Sequence, residues 1–142
     1  MIGTRCHMLA MYVVLESYLA MVCDFPEAYE GQPGFKFIED IPTSWDETVV
    51  PAAQVHEYVT IARRKGQDWY VGTINNTTAK SIQVPLSFLP PGKFKAEIYS
   101  DADDDAENPN HLLVTEQTVS STDIIALKLA AGGGQAMRLV KQ

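Results

Sequence analysis

Cysteine is scarce in this chain of 142 residues, basic side chains are fewer than acidic ones, and no apolar run is long enough to cross a bilayer. Each shortage closes a class of function. Cys6 and Cys23 cannot form the dense disulfide framework of a small secreted scaffold, so buried free thiols are expected. The apolar stretch that begins at Met8 is interrupted at Glu16, far short of the ~20 residues a spanning helix requires, so no membrane partner is expected. A net charge of -7 argues against a nucleic-acid surface, which needs clustered Lys and Arg to displace counterions. The one basic cluster, Arg63-Arg64-Lys65, falls at an expected turn.

Catalytic and cofactor motifs are also missing. His7, His56 and His111 have no metal-ligand spacing, and no Gly-x-Ser-x-Gly elbow is present. Gly132-Gly133-Gly134 lacks the Lys-Ser or Lys-Thr that completes a phosphate loop and reads as a turn. Internal repeats and low-complexity tracts are absent, which removes solenoid and disordered architectures. Arg5 is a thin positive region and Tyr18-Leu19-Ala20 places a bulky residue where signal cleavage wants a small one, so no targeting signal is expected.

What is present divides by period. From Thr4 to Ser17 there is neither Pro nor Gly, Thr4 offers an N-cap, and Met8 to Leu15 is almost continuously apolar, the pattern of a helix buried on more than one side. Tyr18 to Cys23, ahead of Asp24-Phe25-Pro26, suits either a buried strand or extended chain. After the break at Gln32-Pro33-Gly34, a short helix is expected over Phe35 to Ile41, with Phe37, Ile38 and Ile41 on one side and Pro42 as its stop.

Beyond Pro51 the period becomes two. Val59, Ile61 and Arg63 alternate with Tyr58, Thr60 and Ala62, and Lys65-Gly66-Gln67-Asp68 turns the chain into Trp69 to Ile74, which predicts a hairpin. Ile82, Val84, Leu86 and Phe88 define a third strand, which Pro85 marks as an edge. Further strands are expected at Phe94 to Ser100, Leu112 to Val119, Ile124 to Leu129 and Gln135 to Val140. The reading is therefore a mainly β chain, an antiparallel β-sandwich or barrel preceded by helices.

Three stretches carry a likeness to a known family: Gly3-Thr4-Arg5-Cys6-His7, then Pro42-Thr43-Ser44-Trp45-Asp46-Glu47-Thr48, then Ala62 to Gly72 with Trp69-Tyr70-Val71 inside it. Together they resemble the C-terminal end of glycoside hydrolase family 97, the bacterial α-glucosidase and α-galactosidase family. The resemblance implies a division into residues 1–50, the last elements of a catalytic (β/α)8 barrel, and residues 51–142, a C-terminal antiparallel β-sandwich domain. It matches Thr4 to Ser17 to the seventh barrel helix, Tyr18 to Asp24 to the eighth strand and Phe35 to Ile41 to part of the eighth helix. It implies that the longer enzyme hydrolyses α-glucosides or α-galactosides with carboxylates and a calcium ion held outside this sequence. No catalytic, cofactor-binding or metal residue is therefore expected here, and the chain alone is expected to be inactive. Export by Gram-negative bacteria, common in the family, implies a periplasmic home for a full-length member.

Several residues invite a sharper reading. Asp24, at the C-terminal end of the eighth barrel strand on this mapping, would lie on the face where barrel enzymes hold substrate, although a carboxylate capping Phe25-Pro26-Glu27 is the preferred reading. Asp46 and Glu47 are paired carboxylates beside Trp45, yet adjacent residues usually point apart, and a role in fixing the seam between the two parts is preferred. Asp101, Asp103 and Asp105 alternate like the first ligands of a calcium loop, but Ala106 and Leu112 stand where Gly and Glu are needed, so a solvated loop is expected. Tyr58, Trp69, Tyr70 and Tyr99 offer an aromatic platform for a sugar ring, against which core packing is preferred because Trp69 and Tyr70 fall on opposite faces. Asn75-Asn76-Thr77-Thr78 holds overlapping glycosylation patterns and is read as a hairpin loop.

The expected role is noncatalytic: bracing the barrel and self-association through the helical segment or the β domain. A carbohydrate-binding module is the alternative. Met8, Leu9, Met11, Tyr12, Val13, Val14 and Leu15 would form an adhesive patch if left bare, so the helix is expected either to fold onto its own sheet or to bind another copy.

Overall fold

The computed structural model describes residues 3–104 and 106–142. Its elements are α1 (Arg5–Val14), a 3-10 turn (Pro26–Ala28), α2 (Phe35–Asp40), β1 (Glu47–Gln54), β2 (Tyr58–Lys65), β3 (Asp68–Asn75), β4 (Lys80–Pro85), β5 (Phe94–Asp101), β6 (Leu112–Val119), β7 (Ile124–Leu129) and β8 (Gly134–Lys141). A six-stranded antiparallel sheet in the order β1-β2-β3-β8-β5-β6 faces a two-stranded sheet of β4 and β7. Of the antiparallel sandwich and the barrel that the alternating pattern allowed, the sandwich is the architecture observed.

Alternation in the strands explains the two cores. On the inner face Trp69, Val71, Phe94, Ala96, Ile98, Met137 and Leu139 meet Ile82, Val84, Ile125, Leu127 and Leu129 of the smaller sheet. On the outer face Tyr70, Tyr99, Leu112 and Ala136 meet Cys6, Leu9 and Val13 of α1 and Phe37 of α2. Because both faces of β3 are covered, Trp69 and Tyr70 are both buried, pointing opposite ways.

Of the two fates expected for α1, the structure takes the first: it lies on its own sheet. Thr4 caps it, its hydroxyl accepting the His7 N–H at 3.1 Å, and Cys6, Leu9, Ala10 and Val13 form the buried stripe. Close approach is possible because β3 and β8 carry small residues beneath it. A Cβ on Gly72 would stand 2.6 Å from the Ala10 carbonyl, and one on Gly134 2.7 Å from His7 Cα. Burying Leu9, Val13 and Phe37 here is worth about 1.5 to 3 kcal/mol each.

Four expectations are corrected. Of the two readings of Tyr18 to Cys23 the buried strand does not form; the segment is irregular, with bends at Tyr18 and Leu19, and Tyr18, Leu19, Met21, Val22 and Phe25 are exposed. Cys23 is exposed, so only Cys6 is a buried thiol. The sandwich also has an eighth strand among the described residues, β1, which the expected strands omitted: Pro51 and an irregularity between Val49 and Ala52 break its alternation. The segment after β3 is a crossover to the other sheet instead of a hairpin loop, since β4 pairs with β7.

Candidate functional site

At the seam, the turn after β2 is tied to the residues before β1. The Asp46 carboxylate accepts the Gly66 N–H at 2.8 Å and the Lys65 ammonium at 3.2 Å, and Arg64 Nε donates to Glu47 at 3.0 Å. The Gly66 N–H, then Lys65, holds the Asp46 carboxyl below its ordinary value. Trp45 packs edge-on against Tyr70 at 5.5 Å between centroids, with the Arg63 guanidinium 5.9 Å from its ring. Arg63-Arg64-Lys65 thus ends a strand and serves the seam.

Behind the seam α2 is fastened to the sheet. Arg138 Nη1 meets Asp40 Oδ2 at 2.6 Å, the Tyr70 hydroxyl donates to the Asp40 carbonyl at 2.9 Å, and Phe37 packs against Tyr99 at 5.3 Å. Asp40 and Arg138 carry no motif, which is why the spacing of the sequence did not single them out.

The remaining candidates are dispersed. Asp24 is exposed and its Oδ1 accepts the Phe25 N–H at 2.8 Å, beside the 3-10 turn. Asp101 Oδ2 accepts the N–H groups of Ala130 and Gly134 at 3.1 and 3.0 Å, bracing the turn at Gly132. Asp103 meets Lys128 and Asp104 meets His111, both at 2.6 Å, while Asp105 lies outside the described residues. Among the described residues no group of three or more His, Cys, Asp or Glu side chains is gathered to hold a metal. His7 Nδ1 donates to the Gly133 carbonyl at 3.1 Å, and His56 occupies a left-handed turn at φ 66°.

The aromatic platform is not assembled. Trp69, Tyr70 and Tyr99 are buried, and half-buried Tyr58 has the Lys80 ammonium 5.8 Å from its ring centre. Asn75 is an internal brace, donating to the Thr78 and Ala130 carbonyls at 2.9 and 2.8 Å.

What stands open is a surface. Met8, Leu9 and Tyr12 of α1, Met21 and Val22 of the irregular segment, and Ile38 of α2 line a cleft of about 620 Å³. Tyr18, Leu19, Met21 and Phe25 are exposed in the same segment, a largely apolar strip of chain over residues 18–25. Among the described residues no helix is long and apolar enough to cross a membrane.

The fold and its surface thus define a β-sandwich domain with helices seated on its outer face and exposed apolar side chains beside them. Residues 44–140 match the family model described as Glycosyl-hydrolase 97 C-terminal, oligomerisation, and the chain belongs to that family. It is 38% identical over 138 residues to a retaining alpha-galactosidase of Bacteroides thetaiotaomicron, covering 96% of this chain and 21% of the relative. It is 28% identical over 129 residues to a probable retaining alpha-galactosidase of Streptomyces bingchenggensis, covering 90% of this chain and 19% of that one. A solved glycoside hydrolase family 97 enzyme in complex with acarbose, from Pseudoalteromonas sp. strain K8, superposes with a TM-score of 0.92 at 36% identity over 99% of this chain and 23% of that one. The chain therefore spans about a fifth of the length of the curated relatives it matches, as their C-terminal part.

Proposed function

We propose that this chain braces the catalytic barrel of a longer family 97 glycoside hydrolase and joins copies of that enzyme together, without performing chemistry itself. The observation that carries the reading is the apolar strip of residues 18–25 with its adjoining cleft, next to a sheet whose own cores are already filled. Such a surface fits the neighbouring strands and helices of a barrel. The family model's own description, oligomerisation, supports the second half of the role.

The longer enzyme acts on α-galactosides or α-glucosides, with its carboxylates and a calcium ion in the parts that precede this chain, and works in the periplasm. The names of the curated relatives favour galactosides and retention of configuration. Within this chain Asp46 and Glu47 are engaged with Gly66, Lys65 and Arg64, and Asp24 with its own loop. Incubation of the chain at high concentration with nitrophenyl α-galactoside and α-glucoside tests the noncatalytic half; turnover that survives Asp46→Asn and Glu47→Gln but not Asp24→Asn would assign chemistry to the cleft and refute the reading. A melibiose or maltose titration followed by tryptophan fluorescence is expected to be flat, and saturable binding would favour a carbohydrate-binding module.

A further inference from the structure

β6 is an edge strand with nothing to discourage pairing. The other edge of the large sheet, β1, carries Pro51, a register irregularity and an ion-paired Glu47, and β4 ends in Pro85. β6, from Leu112 to Val119, contains no Pro, Lys or Arg, runs in unbroken register with β5, and has Glu116 as its one charged residue. That charge is met from β5 by Lys95 at 2.7 Å. Both faces of the strand are open, with Leu113 44% and Val114 50% exposed, and Leu113, Thr115 and Gln117 border a cleft of about 460 Å³ beneath β7, where Ile124 is also exposed.

The ladder shows which backbone groups look outward. Gln142 donates its N–H to the Lys93 carbonyl, and Asn75 to that of Gly133, so the odd residues of β5 bond toward β8 and the even ones toward β6. Through the pairs Phe94 with Val119 and Ile98 with Thr115, the odd residues of β6 are held by β5. Leu112, Val114, Glu116 and Thr118 therefore direct N–H and C=O to the open side, where among the described residues no strand meets them.

We propose that β6 pairs antiparallel with β6 of a second copy of this chain, joining two large sheets across a twofold axis. The inference rests on the association role above and gives it a surface. A second copy fits because the strand is complementary to itself in one register. With Thr115 on the axis, Leu112 meets Thr118 and Val114 meets Glu116 of the other copy. Moving the axis to Glu116 sets like charges opposite one another, and moving it to Val114 shortens the overlap. Isologous pairing also retires an edge that would otherwise recruit chains without limit.

Thr115 would face its own copy as a non-hydrogen-bonded pair, with Cα atoms about 4.5 Å apart, within disulfide reach. In a Cys23→Ser background, mild oxidation should cross-link Thr115→Cys into a dimer, and Gln117→Cys, whose opposite number is Leu113, should not. Val114→Glu alters an exposed side chain, sets a carboxylate opposite Glu116 of the other copy, and should give a monomer mass at concentrations where the unsubstituted chain has the dimer mass, with its circular dichroism unchanged. Amide exchange at Val114, Glu116 and Thr118 should slow as the dimer forms, whereas Leu113, Thr115 and Gln117 are already protected by β5. A dimer that Val114→Glu leaves intact and Thr115→Cys does not trap would overturn strand pairing while leaving association to another face. A chain monomeric at every concentration would overturn the association role as well.

Discussion

Arg138 on β8 and Asp40 at the end of α2 meet at 2.6 Å, and this pair ties the helical segment to the β-sandwich. Both side chains are mostly buried, at 22% and 16% exposure, and Arg138 also reaches Asp68 at 3.5 Å. Removing Asp40 leaves Arg138 largely desolvated without its closest partner. Asp40→Ala is expected to destabilise the fold by about 1.5 to 3 kcal/mol, the range for hydrogen bonds to charged groups. Urea unfolding at neutral pH checks it, and a loss below 0.5 kcal/mol would show the pair to be no stronger than an exposed one.

Gly72→Ala tests the close seating of α1. The added methyl would lie 2.6 Å from the Ala10 carbonyl and 2.9 Å from Val13 Cβ, contacts the helix can relieve only by moving away. Overpacking of this kind costs about 1 to 3 kcal/mol. The expected signature is a lower urea midpoint with faster amide exchange within α1. An unchanged midpoint would mean that the helix is not held where the structure places it.

Asp46 supplies a pH dependence. Its folded-state carboxyl is held below the ordinary 3.8 by the Gly66 N–H and Lys65, so its contribution to stability is complete above that value. The contribution is lost as pH falls through the folded-state pKa, when the unfolded chain has already taken up its proton. Asp46→Asn should therefore be less stable than the parent at pH 7, with the gap closing as the solution is acidified below pH 3.8. A gap that stays constant across this range would contradict an electrostatic role at the seam.

The thiols should separate cleanly. Burial, and then Asp101, push the Cys6 thiol far up, whereas Cys23 lies in the exposed segment. Native protein at pH 8 is expected to react with iodoacetamide at Cys23 alone, and at Cys6 only after unfolding. Mass spectrometry of the labelled peptides reads this directly, and rapid labelling of Cys6 would show that α1 does not cover it.

Much of the sandwich was legible because its strands alternate cleanly. The ranges read for the strands at Leu112 to Val119 and Ile124 to Leu129 are those of β6 and β7. β1 was not, since Val49-Val50-Pro51 breaks the alternation and its place depends on β2. The segment from Tyr18 to Cys23 was legible only as a choice between buried strand and extended chain, because Tyr18, Leu19, Met21 and Val22 have the composition of a core strand, yet all four are exposed. Exposure depends on tertiary neighbours, which no local pattern records. The docking of α1 had a faint signal in Gly72, a glycine inside a strand, which marks close approach of another backbone. The Asp40 and Arg138 contact, distant in sequence and without a motif, had none.

If this chain joins copies of the longer enzyme, as proposed above, its mass in solution should depend on concentration, and light scattering behind size exclusion over a tenfold range of concentration reads that mass. A discrete dimer whose share grows with concentration is expected. A single monomer mass across the whole range would sink the association role.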